Sequence, residues 1–286
     1  MRDERYRKHR IPHPSLIPLL LALACARHEA TPTLHDGLDR PVAIPPRIER
    51  VITLAPNLTE IVYAIGGATR LAGTDDFSDE PAAAKNLPKV GGMQPNIEKI
   101  VALKPDLVFA TTSGNHPNLA PALAAVHIPL YVVRTDRLDE IPTAMERMAS
   151  ILGVHSSAAA DLRARIARQR RTRSHPPRIL FVVWADPLYV GGRKTFSDDL
   201  FVLTGAQNAV QVDGWPQYSL ESLIAHPPDL ILHVSKVTRA QIEKLLDIAP
   251  ALKQRVSIVA VDENLFTRPG PRVAEAAAEL NRILDE

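Results

Sequence analysis

Asn96-Ile97-Glu98-Lys99-Ile100-Val101-Ala102-Leu103-Lys104-Pro105-Asp106-Leu107-Val108 returns 123 residues later as Ser219-Leu220-Glu221-Ser222-Leu223-Ile224-Ala225-His226-Pro227-Pro228-Asp229-Leu230-Ile231. Each copy opens with a helix-capping residue and places a glutamate in the first turn. Each continues with an apolar face at helical spacing and ends in Pro-Asp and an apolar, strand-like run. A unit repeated at a fixed offset is one supersecondary motif used twice. The apolar runs beginning at Val51 and Ile179 are offset by a similar 128 residues, so the chain reads as two lobes built alike.

Working outward, strands are expected at 51–54, 71–74, 107–110 and 130–133, with helices between them. Asn57 reads as the N-cap of the first helix, with Glu60 three residues on as in a capping box. A second series has strands at 179–183, 230–233 and 256–261, with helices near 198–204, 219–226, 238–247 and 272–284. Alternating strands and helices predict an α/β fold with parallel-rich sheets flanked by helices. Between the lobes, residues 138–173 carry apolar residues at helical spacing and few breakers. They predict one long helix joining the lobes, with Gly153 as the place where it bends, and the interface between two lobes is where a ligand cleft is expected. The arginines at its end (163, 165, 168, 170, 171 and 173) suit a helix C-terminus and a solvated face.

The chain has 286 residues, 45% hydrophobic and 23% charged, with one cysteine. This is globular composition, and no internal disulfide can form. The net charge of +2 is concentrated in the first 24 residues, which leaves the rest close to neutral and argues against nucleic-acid binding. A basic start and the short apolar run 16–24 have the layout of a secretory signal, too short to cross a bilayer. Leu21-Ala22-Leu23-Ala24-Cys25 resembles a bacterial lipobox, in which Cys25 takes lipid and becomes the first mature residue. Plain cleavage at Ala24 or Ala26, or an intracellular chain with a ragged start, are the alternatives. The expected organisation is a signal peptide (1–24), a lipid-anchored tether and N-terminal hairpin (25–45), an N-lobe (46–135), a linking helix (136–174) and a C-lobe (175–286).

The chain has no G-x-S-x-G, H-E-x-x-H, phosphate loop or G-x-G-x-x-G opening a helix, and its histidines are scattered. An enzyme, a resident cofactor and a metal site are therefore not expected. An exported two-lobed chain without catalytic motifs fits a ligand-binding protein.

Three stretches carry a more specific resemblance: Arg50-Val51-Ile52-Thr53-Leu54-Ala55-Pro56-Asn57-Leu58-Thr59-Glu60, Gly91-Gly92-Met93-Gln94-Pro95-Asn96-Ile97-Glu98-Lys99-Ile100, and Ala102-Leu103-Lys104-Pro105-Asp106-Leu107-Val108. They resemble the periplasmic substrate-binding proteins for cobalamin, ferric siderophores and haem, and Gly214-Trp215-Pro216-Gln217-Tyr218-Ser219-Leu220-Glu221 resembles the cobalamin branch. The resemblance implies a monomeric component of an ABC importer that delivers cobalamin, or a related corrinoid, as cargo to membrane subunits. It implies a ligand site at Phe77, Trp184, Tyr189, Trp215, Phe266 and Arg268. Met93 and Gln94 stand where the family often has an aromatic. It also implies that Glu98 and Glu221, one per lobe, dock on arginines of the transporter. Haem or a ferric siderophore is the alternative cargo; an exported enzyme or metallochaperone on the same scaffold is the alternative of another class.

Overall fold

The computed structural model describes residues 33–114, 118–247 and 249–286. The expected signal peptide and Cys25 lie outside the described residues. A hairpin of β1 (Thr33–His35) and β2 (Pro41–Ala43) leads into the first lobe. There β3 (Val51–Thr53), α1 (Pro56–Ala64), β4 (Leu71–Thr74), α2 (Ile97–Ala102), β5 (Leu107–Thr111), α3 (Leu119–Ala125) and β6 (Leu130–Val133) alternate. The strands form a wholly parallel sheet in the order β4-β3-β5-β6. Val51, Ile52, Leu107, Val108 and Phe109 are fully buried, as continuous apolar runs in a parallel sheet covered on both faces must be.

Two further helices, α4 (Glu140–Leu152) and α5 (Ala158–Arg168), precede the second lobe. It contains β7 (Arg178–Ala185), β8 (Leu188–Val190), α6 (Phe196–Leu203), β9 (Gln207–Asn208), α7 (Leu220–Ala225), β10 (Leu230–Val234), α8 (Arg239–Leu246), α9 (Pro250–Lys253), β11 (Ser257–Val261), α10 (Glu263–Phe266) and α11 (Val273–Asp285). Its sheet runs β11-β10-β7-β8, with β9 also paired to β7. The antiparallel β8 makes this sheet mixed.

The repeat holds at atomic detail. Asn96 caps α2 by accepting from the Lys99 amide at 2.9 Å, and Ser219 caps α7 by accepting from the Ser222 amide at 3.1 Å. The aspartate of each Pro-Asp step has one job in both lobes. Asp106 Oδ2 accepts from the Glu49 and Arg50 amides at 2.7 and 2.8 Å, and Asp229 Oδ2 accepts from the Arg178 amide at 2.8 Å. Their own amides donate back to the Arg50 and Arg178 carbonyls. Each aspartate thus ties the strand of the repeat to the start of the lobe's first strand and sets its register.

The link between the lobes corrects the expectation of one long backbone helix. Gly153 adopts φ +61° and ends α4, where the Val154 amide returns to the Ala149 carbonyl. That left-handed position favours glycine and stops a helix rather than bending it. Arg163 of α5 then makes a forked ion pair with Glu146 of α4. Seventeen residues along one straight helix would separate them by about 25 Å, so the two helices fold back side by side. Arg165 pairs with Glu275 of α11, and Arg173 with Asp285. The arginine-rich stretch therefore sits partly in ion pairs.

A continuous apolar core runs from Val42 through Ile141, Met145 and Met148 of α4 to Phe181 of β7 and Leu280 of α11. A smaller cluster, with Ile52, Val108 and Leu123, fills the other face of the first sheet. Among the described residues no helix is long and apolar enough to cross a membrane.

The matching aspartates give the first test. Asp106→Ala and Asp229→Ala each remove a carboxylate that holds backbone amides, and each is expected to lower unfolding stability by about 1–2 kcal/mol. Urea titration of the two variants should give losses of similar size. A neutral result in one lobe alone would show that the repeat is not structurally equivalent.

Candidate functional site

The site is assembled at the C-terminal ends of β3 and β5, where open α/β sheets place ligands, facing the loop that follows α10. Its floor depends on two residues that the sequence suggests for another purpose. The cap of α1 is Ala55, with Pro56 at the first helical position, which suits a residue that has no N–H to satisfy. This corrects the expected Asn57 cap. The Asn57 side chain instead donates to Thr135 Oγ1 and to the Pro269 carbonyl, both at 3.1 Å, and so bridges the lobes. Glu60 makes no capping box either. It is buried, and Arg272 of the second lobe grips both its oxygens at 2.8 and 2.9 Å. The hydrogen bond with Glu60 raises the Arg272 pKa.

Arg268 reinforces this junction. Its Nη1 donates to Asp79 at 2.7 Å and reaches Glu60 at 3.4 Å, while Nη2 donates to the Phe77 carbonyl at 3.3 Å. The side chain is 12% exposed and lines the cleft, but its charge is already balanced. Beneath the floor lies a chain of hydroxyls: Thr59 Oγ1 bonds Thr53 Oγ1 at 2.6 Å and Ser78 Oγ at 2.7 Å, and Ser78 donates to the buried Asp75. Burial pushes the Asp75 carboxyl above its ordinary range, and hydrogen bonds from Ser78 Oγ and the Phe77 amide offset only part of that rise.

Two cavities lie above. The larger, about 640 Å³, is walled by Phe77 and Met93 from the first lobe and by Asn264, Thr267 and Arg268 from the second. The Phe77 ring rests on Gly92, where an added Cβ would come within 3.0 Å of it. The smaller, about 300 Å³, holds Trp215, Asp136 and Lys194. Ser113 and Thr267 line both, so the cavities meet. The lysines around them are matched: Lys236 pairs with Glu263 at 2.6 Å and Lys194 with Asp213 at 2.6 Å. Among the described residues no group of three His, Cys, Asp or Glu side chains is arranged to hold a metal ion.

Of the residues expected at the ligand site, the structure brings Phe77, Met93, Trp215 and Arg268 to these cavities. Trp184 and Tyr189 do not reach these cavities. They are cross-strand partners in β7 and β8, both well exposed on the same lobe as Trp215. Gln94 is exposed outside both cavities. Phe266 corrects its expectation: it is 1% exposed and packs against Phe181 with ring centroids 6.3 Å apart. On the single turn of α10, residues 263 and 264, together with 267 just beyond it, face the cleft, so 266 turns to the core. Sequence reading missed the roles of Asn57, Glu60, Arg272, Asp75, Asp136 and Lys194. Only the density of polar residues after β3 and β6 hinted at them. Glu98 and Glu221 are exposed at equivalent places on α2 and α7, away from the cleft. The Glu221 pKa is lowered by its own backbone amide and by Ser219.

Residues 51–262 match the family model described as periplasmic binding protein. The chain is 32% identical over 243 residues to the vitamin B12-binding protein of Yersinia pestis (strain Pestoides F), covering 81% of this chain and 85% of that one. The fold is similar to the periplasmic haem-binding protein RhuT of Roseiflexus sp. RS-1, at TM-score 0.72 and 27% identity over 82% of this chain and 97% of that one. It is also similar to the periplasmic vitamin B12-binding protein BtuF of Vibrio cholerae, at TM-score 0.64 and 26% identity over 83% and 97%.

Asp75 supplies a test of the site's electrostatics. Its folded pKa lies above the ordinary 3.8. Its favourable contribution is thus complete below that value and is lost as pH rises through the raised one. Asp75→Asn removes the ionisation while keeping an acceptor for Ser78. The variant should melt above the wild type at neutral pH, and the difference should shrink as pH falls toward 3.8. A difference that grows on acidification would mean that the ionised carboxylate is favoured in the fold.

Proposed function

The chain belongs to the periplasmic binding protein family, and from that premise we propose that it carries cobalamin, or a closely related corrinoid, to the membrane subunits of an ABC importer. One observation supports this cargo above the others: the larger cavity is walled by Phe77 and Met93, with Trp215 in the adjoining one, and the cations of the lining are already paired. Aromatic and thioether walls give a flat macrocycle large contact area at small entropic cost. An anionic ferric siderophore calls for uncompensated cations, and among the described lining residues the single arginine, Arg268, is held by Glu60 and Asp79. Haem calls for an axial ligand, and Met93 is the one side chain of the usual ligating types among the described lining residues. The fold is more similar to the haem-binding RhuT than to the vitamin B12-binding BtuF, at TM-scores 0.72 and 0.64 with nearly equal identity, so the lining chemistry carries the choice of a corrinoid. The relative named as a vitamin B12-binding protein points the same way.

In this reading the protein works in the periplasm and a lipid on Cys25 keeps it near the importer, which raises its effective concentration there. Glu98 and Glu221 dock on the two alike membrane subunits. Each is followed one turn later by an exposed aliphatic residue, Val101 or Ile224, at equivalent positions of the repeat. Two matched contacts, one per lobe, are what a partner with two-fold symmetry requires.

Calorimetric titration with cyanocobalamin, haem and a ferric siderophore tests the cargo. Cyanocobalamin should bind most tightly, and Phe77→Ala should weaken it by about 1 kcal/mol or more. Tighter binding of haem or siderophore would replace this reading. For docking, Glu98→Ala combined with Glu221→Ala should leave cyanocobalamin affinity within about 0.5 kcal/mol. It should reduce uptake more than either single change. Normal uptake by the double variant would leave the glutamates as helix-start residues only.

A further inference from the structure

The two interlobe cavities differ in chemistry as well as in size. The larger offers Phe77 and Met93; the smaller offers the exposed Trp215 plane with Phe196 behind it, one carboxylate and one ammonium group, with hydroxyls between. Trp215 is fixed edge-on against Phe181 and tilted against Phe196, each at 6.3 Å, and stays 40% exposed. Its plane is therefore set before any ligand arrives. Asp136 comes from the first lobe. Among the described residues its two oxygens share a single donor, Thr112 Oγ1, at 2.9 and 3.0 Å, which leaves acceptor sites of the carboxylate open to a ligand.

Lys194 comes from the second lobe, in a backbone conformation that a lysine rarely adopts, φ +59°. Neighbouring hydrogen bonds hold it there. Its amide donates to Asp198 at 3.2 Å, the Arg193 amide to the Val212 carbonyl at 2.7 Å, and the Gly214 amide back to Arg193 at 2.8 Å. Left-handed non-glycine residues kept by their surroundings concentrate at functional sites. The Lys194 side chain is 65% exposed and touches Asp213 in an exposed pair, which a ligand anion can exchange with at little cost.

We propose that the smaller cavity is a separate subsite for the nucleotide arm of the corrinoid, while the larger takes the ring. The base lies against Trp215, the ribose hydroxyls donate to Asp136, and the phosphodiester meets Lys194 at the mouth. The shared lining by Ser113 and Thr267 lets one bipartite ligand occupy both cavities. This rests on the corrinoid reading above, and it adds that the protein distinguishes complete corrinoids from those lacking the nucleotide.

The test compares cyanocobalamin with cobinamide, which has the ring but no nucleotide, by calorimetry on the wild type and on Phe77→Ala, Trp215→Ala and Lys194→Met. Phe77→Ala should weaken both ligands by a similar factor. Trp215→Ala and Lys194→Met should weaken cyanocobalamin about tenfold and cobinamide less than about twofold. Equal loss for both ligands, or no loss for either, in Lys194→Met overturns the subsite. That exposed position keeps the test decisive even if Trp215→Ala disturbs its aromatic neighbours. A wild type that binds cobinamide as tightly as cyanocobalamin also overturns it. A wild type that binds neither corrinoid overturns the cargo itself, and the subsite with it.

Discussion

A buried carboxylate in one lobe is neutralised by two arginines of the other. Glu60 sits on α1, and Arg272 reaches it from the segment that leads into α11, with Arg268 closing the triad toward Asp79. Breaking such a pair leaves a charge without a partner in a poorly hydrated place, which typically costs about 3–5 kcal/mol. The lobes therefore cannot part at this floor without a large penalty, and the Asn57 bridge to Pro269 opposes the same movement. On the far side, α4, α5 and α11 join the lobes through one continuous apolar core. The cleft is held from both sides before any ligand arrives.

Preformation has a consequence for recognition. A rigid cleft spends little of its binding energy on closure, so affinity depends on how well the fixed walls match the ligand. Those walls are aromatic and thioether groups, and their cations are paired with neighbouring carboxylates. They favour a large, flat, mostly neutral molecule over a compact anion. The arginine that sequence comparison would assign to ligand capture, Arg268, serves structure first: its guanidinium is spent on Asp79, Glu60 and the Phe77 carbonyl, and so positions Phe77. One side chain thereby couples the interlobe junction to the ligand wall.

The lobes were legible in the sequence because their signals are local. The repeat beginning at Asn96 and Ser219 encodes cap, helix and strand within thirteen residues, and each appears as read. Helical spacing continues across Gly153, so the local pattern predicts a single helix there, and only the φ of that glycine turns the chain back. Asn57 and Glu60 look like a capping pair, since cap residues are recognised by short spacing. Their true partners lie 212 residues away in the chain, a distance that no local pattern spans. Phe266 was assigned to the ligand because it is aromatic in a cleft loop, whereas a single helical turn decided which face it shows. Trp215 and Phe77 are expected at the ligand through the family resemblance alone, and the structure places both at the cavities.

The central claim is that the cleft is already in its binding geometry. Small-angle X-ray scattering of the mature protein, with and without saturating cyanocobalamin, tests it most directly. The junction at Glu60 and the shared core predict curves that superimpose, with no compaction beyond the added ligand. A clear fall in the radius of gyration on binding would show that the lobes close like a hinge and that the junction does not hold them.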